Sequence, residues 1–178
     1  MESSLRYEGG DAKNHHPATI KSIRINAKQK LQIFHPDTLL QLNGELDTRT
    51  GAPTFFCALV RHLYPNLSAS VGAGLHYYHT NHKLICTVRG KKAYPMPSNR
   101  FVNVLLKGAC DIHNDFTQPT PHGALELVWN ILDFQKDQDV RLKLGYEIID
   151  KIPYVQFSEN NWTFNADING RWNVRYHL

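Results

Sequence analysis

No stretch of this chain approaches the roughly 18 uninterrupted apolar residues that a membrane-crossing helix requires, and helical periodicity is evident nowhere along it. Those absences exclude a helical membrane protein. They leave a membrane barrel open, because barrel strands alternate lipid-facing with lumen-facing residues and each window averages close to neutral. Cysteine is sparse as well. Cys57, Cys86 and Cys110 are odd in number and widely spaced, which argues against a disulfide framework or a zinc module and suits small apolar wall residues. The polar N-terminal run through Glu2, Asp11, Lys13, Asn14, His15 and His16 lacks an apolar core or an Arg/Ser-rich amphipathic presequence, so no cleavable targeting segment is expected. What remains is a 178-residue chain, 42% hydrophobic and 20% charged, with net charge +4 and pI about 9.0. Its mean hydropathy of −0.43 resembles that of a soluble basic protein and is equally compatible with a barrel whose interior is polar.

The ordering signal is a period of two. Ile23, Ile25, Ala27, Leu31 and Ile33 alternate with Arg24, Asn26, Lys28, Lys30 and Gln32. Leu40, Leu42 and Leu46 alternate with Gln41, Asn43, Glu45 and Asp47. The same rhythm continues through Leu67–Tyr77, Leu84–Lys91, Val102–Asp111, Leu125–Ile131, Val140–Ile148 and Trp162–Ile168, and it ends in Trp172–Leu178 after an Asn169-Gly170 turn. Residues 54–63 are strand-like without clear polarity, and 153–158 form a weaker strand, so the register of both stays open. With Ser4 to Tyr7 as a further strand, the spacing predicts an all-β fold of about twelve antiparallel strands, the even number usual in single-chain barrels. Residues 1–178 then form one β-barrel domain, with a polar loop at about residues 9–22. Strands of about 8–12 residues are long for a soluble protein and suit a tilted bilayer crossing. Tyr64, Tyr77, Tyr94, Phe134, Tyr154 and Tyr176 fall near strand ends, where interfacial girdles belong.

Alternation alone does not say which phase faces inward. Large apolar residues on nearly every strand of so wide a cylinder would leave a soluble core unfilled. The predicted orientation is therefore a closed transmembrane barrel with apolar residues in lipid and a basic, water-filled lumen. Moving one lumen cation to the bilayer midplane would cost roughly 2–4 kcal/mol. The inward set comprises Arg24, Lys28, Lys30, Arg89, Lys91, Lys107, Arg141, Lys143, Arg171 and Arg175, against Glu45, Asp47, Asp111, Glu126, Glu147 and Asp167. An excess of cations in a narrow, low-dielectric tube concentrates anions, so these ten residues are the candidate pore-lining and anion-binding set. With strand directions alternating from Ser4, Lys91, Arg100, Arg141, Lys143 and Arg175 fall toward the end carrying the termini. Asp47, Asp111, Glu126, Glu147 and Asp167 fall toward the other end, and Arg24 and Arg171 break the gradient. Such a gradient predicts rectification.

Other motifs carry less. Gly72-Ala73-Gly74 lies inside an alternating strand without the helix and Lys-Ser/Thr ending of a phosphate loop. The ten histidines are scattered, and Asp133, Asp137 and Asp139 lack the Gly and terminal Glu of a calcium loop. No metal or catalytic constellation stands out, and an enzyme is not expected. The alternative reading is a soluble basic β-domain that binds single-stranded nucleic acid through Trp162, Phe164 and Trp172 with Arg171 and Arg175. It is disfavoured because aromatic and basic residues alternate on opposite faces, so no nucleic-acid partner is expected.

The chain resembles the chloroplast outer envelope pore proteins of the 21-kilodalton class over most of its length. The most specific matches are Phe134-Gln135-Lys136-Asp137-Gln138-Asp139-Val140-Arg141, Gly145-Tyr146-Glu147 and Glu159-Asn160-Asn161-Trp162-Thr163-Phe164-Asn165-Ala166-Asp167. Gly170-Arg171-Trp172-Asn173-Val174-Arg175-Tyr176 follows, with shorter matches at Ser4–Tyr7, Leu46–Thr48, Arg61-His62, Tyr64–Asn66 and Lys107-Gly108. Segments Lys13–Thr19 and Tyr78–His82 depart from that pattern. The resemblance implies a rectifying, anion-selective channel of the chloroplast or etioplast outer envelope. It would pass triose phosphates, 3-phosphoglycerate and inorganic phosphate, with ATP as a regulatory ligand and no cofactor. For ATP the expected contacts are Arg24, Lys28, Lys30, Arg141, Lys143, Arg171 and Arg175 acting together.

Overall fold

The computed structural model describes residues 2–9, 22–33, 35–96, 101–113, 119–133 and 138–178. The described residues form twelve strands: β1 (Glu2–Gly9), β2 (Ser22–Gln32), β3 (Thr38–Asp47), β4 (Pro53–Tyr64), β5 (Ala69–Tyr78), β6 (Lys83–Pro95), β7 (Val102–His113), β8 (Pro119–Asp133), β9 (Gln138–Glu147), β10 (Ile152–Glu159), β11 (Trp162–Asp167) and β12 (Trp172–His177). Each strand pairs antiparallel with its sequence neighbours, and β1 pairs with β12, which closes the barrel. Closure satisfies the backbone on every side and leaves no sheet edge for lipid to contact. The expected loop at 9–22, the Lys13–Thr19 departure, Arg100 and Phe134 lie outside the described residues, apart from Gly9 and Ser22 at the ends of β1 and β2.

The start of β1 and the end of the chain meet at one rim, where the Leu178 N–H donates to Ser3 O at 3.0 Å. We call this the terminal rim. Gly170 adopts φ +75° in the β11–β12 turn, where Asp167 and Arg171 close the hairpin through Asp167 N–H to Arg171 O at 3.0 Å. The loop is therefore longer than the Asn169-Gly170 pair alone. Glycine adopts the left-handed region without steric cost, which explains its place there.

Register fixes which face each residue occupies. Ile25 pairs with Leu46 and Leu127 with Leu144 on one face, while Asn26 pairs with Glu45 and Gln156 with Lys143 on the other. The apolar face is the outer one. Phe56, Val71, Leu75, Trp129 and Leu144 are among its half-exposed large side chains, an apolar band that water would penalise and lipid satisfies. Among described strand side chains, charge on this outer register is confined to Lys92 and Glu159, and Lys92 stands over the Tyr94 ring at 4.9 Å near the terminal rim.

The strand whose polarity was unreadable is β4. Phe55, Cys57, Leu59, Arg61 and Leu63 share its inward face, and Phe56, Ala58, Val60 and Tyr64 its outward face. Both phases are apolar because Cys57 and Leu59 fill part of the barrel interior, with Leu59 only 1% exposed. The interior is thus partly packed with apolar side chains along β4. Near the rim opposite the termini, a bulge between Glu45 and Leu46 shifts the β3–β4 register and lets the Thr54 hydroxyl donate to Glu45 Oε1 at 3.0 Å.

Candidate functional site in the barrel lumen

Nine of the ten cations singled out from the sequence occupy the inward register of strands, and the tenth, Arg171, stands in the turn before β12. Arg24, Lys28 and Lys30 share it on β2, Arg89 and Lys91 on β6, and Lys107 on β7. Arg141 and Lys143 share it on β9 and Arg175 on β12, while Arg171 immediately precedes β12. Sequence reading missed Arg6 on β1 and Arg61 on β4, which face inward too. Arg6 alternates with Leu5 and Tyr7, which was signal enough to find it. Arg61 was hidden by the apolar inward neighbours Cys57 and Leu59.

Carboxylates divide these cations into two groups. Arg24 Nη1 reaches Glu45 at 2.9 Å and its Nη2 reaches Glu8 at 3.6 Å. Lys28 and Lys30 both meet Glu2, at 3.3 and 2.9 Å. Arg6 pairs with Glu8 at 2.7 Å, Arg171 with Asp167 at 2.7 Å, and Lys107 with Glu126 at 2.5 Å. Among the described residues, Arg61, Arg89, Lys91, Arg141, Lys143 and Arg175 have no carboxylate within 4.0 Å. Neutral groups orient several of them instead: Arg141 Nε donates to Asn130 Oδ1 at 2.8 Å, Lys143 Nζ to Gln156 Oε1 at 3.2 Å, and Arg89 Nη2 to His76 Nε2 at 3.1 Å. Amides and imidazoles align a cation without cancelling its charge, so this second group keeps its field.

Two lumen cavities gather the site. The first, of about 420 Å³, is lined by Arg61, Arg89, Lys91, Lys107 and His122, with Glu147 and Tyr154. The second, of about 650 Å³, is lined by Arg6, Arg171 and Arg175, with the carboxylates Glu8 and Asp167 and polar side chains such as Gln156 and Asn165. Of the residues expected at a common nucleotide site, Arg171 and Arg175 share the second cavity. Arg24, Lys28 and Lys30 form a separate, carboxylate-paired stripe on β2.

Height along the barrel follows from strand direction. Arg61, Lys91, Arg141 and Arg175 lie in the half nearer the terminal rim, while Asp47, Asp111, Glu147 and Asp167 lie near the opposite rim. Lys143 sits midway along β9, which corrects its expected place near the terminal rim. Glu126 sits midway along β8, which corrects its expected place near the opposite rim. Arg24 and Arg171 stand among the acids, as their sequence positions indicated, and both are carboxylate-paired there.

The outer surface corrects one aromatic. Tyr64, Tyr77, Tyr94 and Tyr176 face outward near the rims, and Trp162 packs on Tyr176 with ring centroids 4.6 Å apart. Tyr154 faces inward, paired with Gly145 and Asp167, and its hydroxyl donates to Glu126 Oε1 at 2.6 Å. Trp162, Phe164 and Trp172 share the outward register of β11 and β12, and Arg175 the inward one. Cys86 and Cys110 face outward, whereas Cys57 faces inward beside His76, with Sγ and Nε2 3.5 Å apart.

A family model described as chloroplast outer envelope pore protein OEP21 matches residues 3–178. The chain is 48% identical over 187 residues to outer envelope pore protein 21, chloroplastic, of Pisum sativum, with all of both chains covered. It is 48% identical over 178 residues to outer envelope pore protein 21A of Arabidopsis thaliana and 43% identical over 187 residues to the Oryza sativa subsp. indica protein, again with complete coverage of each. A closed twelve-stranded barrel, apolar outside and charged within, is the architecture a pore requires, and the chain belongs to the chloroplast outer envelope pore protein OEP21 family.

Proposed function

We propose that this barrel is a voltage-dependent, rectifying, anion-selective channel for phosphorylated metabolites, namely triose phosphates, 3-phosphoglycerate and inorganic phosphate, and that ATP modulates it. Membership of the family makes the chain a pore protein of the chloroplast outer envelope, held in the bilayer by its strands. The observation that carries the finer reading is the group of inward cations held by neutral partners: Arg89, Arg141 and Lys143 are oriented by His76, Asn130 and Gln156. Cations in a confined, partly apolar tube raise the local concentration of anions and repel other cations.

Phosphate esters suit such a wall. Each carries several acceptor oxygens and about two negative charges, so it can exchange one guanidinium or ammonium for the next along the lumen. Conduction requires that each stop be shallow. ATP carries more charge and can bridge more cations at once, so it dwells longer and obstructs smaller anions. The cations nearer the terminal rim and the acids nearer the opposite rim give the lumen an electrical direction, which favours rectification.

The test is flux from protein-loaded lipid vesicles. Efflux of 3-phosphoglycerate should exceed that of a neutral triose of similar size, and ATP should slow it. Equal efflux of charged and neutral solutes would contradict anion selectivity, and efflux insensitive to ATP would remove the nucleotide from the account.

A further inference from the structure

An acid halfway down a cationic wall calls for a reason. Glu126 projects inward from β8, opposite Leu105 of β7 and Gly145 of β9, yet it is only 3% exposed. Two groups cover it. The Lys107 ammonium and the Tyr154 hydroxyl both donate to its Oε1, at 2.5 and 2.6 Å. Tyr154 stands on β10 and reaches across β9 because Gly145 has no side chain; a Cβ there would overlap the tyrosine ring.

The surroundings explain what the carboxylate offsets. Lys91 and Lys107 stand directly opposite each other on β6 and β7, an arrangement of like charges that costs stability. Lys143 shares the inward register of β9 two residues from Gly145, the partner of Glu126. Lys107 and Tyr154 both line the 420 Å³ cavity, but the polar tips of both are turned to Glu126, which stands behind them.

We propose that Glu126 is a fixed internal counter-anion that holds Lys107 until a multiply charged phosphate competes for it, and so sets how long such an anion stays in the pore. The inference rests on the anion-channel reading and adds the residue that tunes it. A passing phosphate that takes Lys107 replaces one charge-assisted hydrogen bond with another, so the net gain is small and release is fast. Without the carboxylate, Lys107 would join Lys91 and Lys143 as a third cation with no carboxylate partner, a cluster that retains polyanions. The Tyr154 hydroxyl anchors Glu126, so the carboxylate recovers Lys107 once the anion leaves. Chloride, with a single charge, competes far less well than a phosphate chain, and the device therefore discriminates by valence.

Inorganic triphosphate is the probe, read as block of chloride current through single channels in a planar bilayer. Glu126→Gln should lower the half-blocking concentration about tenfold, and Glu126→Asp should restore most of the wild-type value. In a Lys107→Gln background, Glu126→Gln should change block by less than about twofold, because the lysine it acts through is gone. A merely structural role for Glu126 would not depend on Lys107 in this way. An unchanged half-block in Glu126→Gln, or the same shift without Lys107, overturns the proposal. If Glu126→Gln fails to give the heat-modifiable gel mobility of a folded barrel, Tyr154→Phe removes only the anchor. It should shift block in the same direction by a smaller factor, and no shift overturns the proposal. A wild-type channel that triphosphate does not block would instead sink the anion-channel reading itself.

Discussion

At the residue scale, adjacent positions on one strand face opposite solvents. Lys143 and Leu144 of β9 are neighbours in sequence, yet one donates to Gln156 in the lumen and the other stands half-exposed on the outer face. Leu144→Arg should therefore destabilise the barrel by about 2–4 kcal/mol, whereas Gln32→Arg, on the inward register near the terminal rim, should stay within about 0.5 kcal/mol. Urea unfolding from lipid vesicles measures both. Gly145→Ala should cost about 1–3 kcal/mol in the same assay, because the added methyl meets the Tyr154 ring. The direction of Tyr154 was legible in principle. Gln156 and Ser158 share its phase and are polar, while Val155 and Phe157 are apolar, so the residue belongs to the lumen and not to the girdle. Its partnership with Glu126 was beyond reach, because it joins β8 to β10 across a strand that only tertiary register brings between them.

Elements differ in how plainly they announce themselves. Strands with lipid on one side and charge on the other, such as β2 and β9, show clean alternation, and the sequence reading placed their faces correctly. In β4 the inward face carries Phe55, Cys57 and Leu59, so no contrast separates the two phases and Arg61 went unnoticed. Strand length varies as well. β11 and β12 have six residues each, against twelve in β7 and fifteen in β8. Shorter pairings break with fewer hydrogen bonds lost, so local opening should begin at the β11–β12 hairpin. Backbone amides of Thr163 and Asn165 should exchange with deuterium at least about tenfold faster than those of Glu126 and Leu127. Equal protection around the barrel would show that the wall opens as one unit.

For the whole molecule, the decisive quantity is charge, sorted by register and height. Nine of the ten cations read from the sequence stand on inward strand positions, because each is the polar member of an alternating pair. The sequence could not sort them, since whether Lys30 meets Glu2 or Arg141 meets Asn130 depends on strands that are distant in sequence. With Arg61, Lys91 and Arg141 nearer the terminal rim and Asp47 and Asp167 near the other, current–voltage curves in symmetric salt should be asymmetric. Replacing Arg141 and Lys143 together with glutamine should flatten them and weaken ATP block; symmetric curves from the wild-type barrel would remove rectification from the account. The central claim is that cations without carboxylate partners govern what passes. The reversal potential of the purified barrel in a planar bilayer under a potassium chloride gradient tests it most directly. A reversal potential displaced toward the chloride equilibrium potential is expected, and a displacement toward that of potassium would contradict the claim.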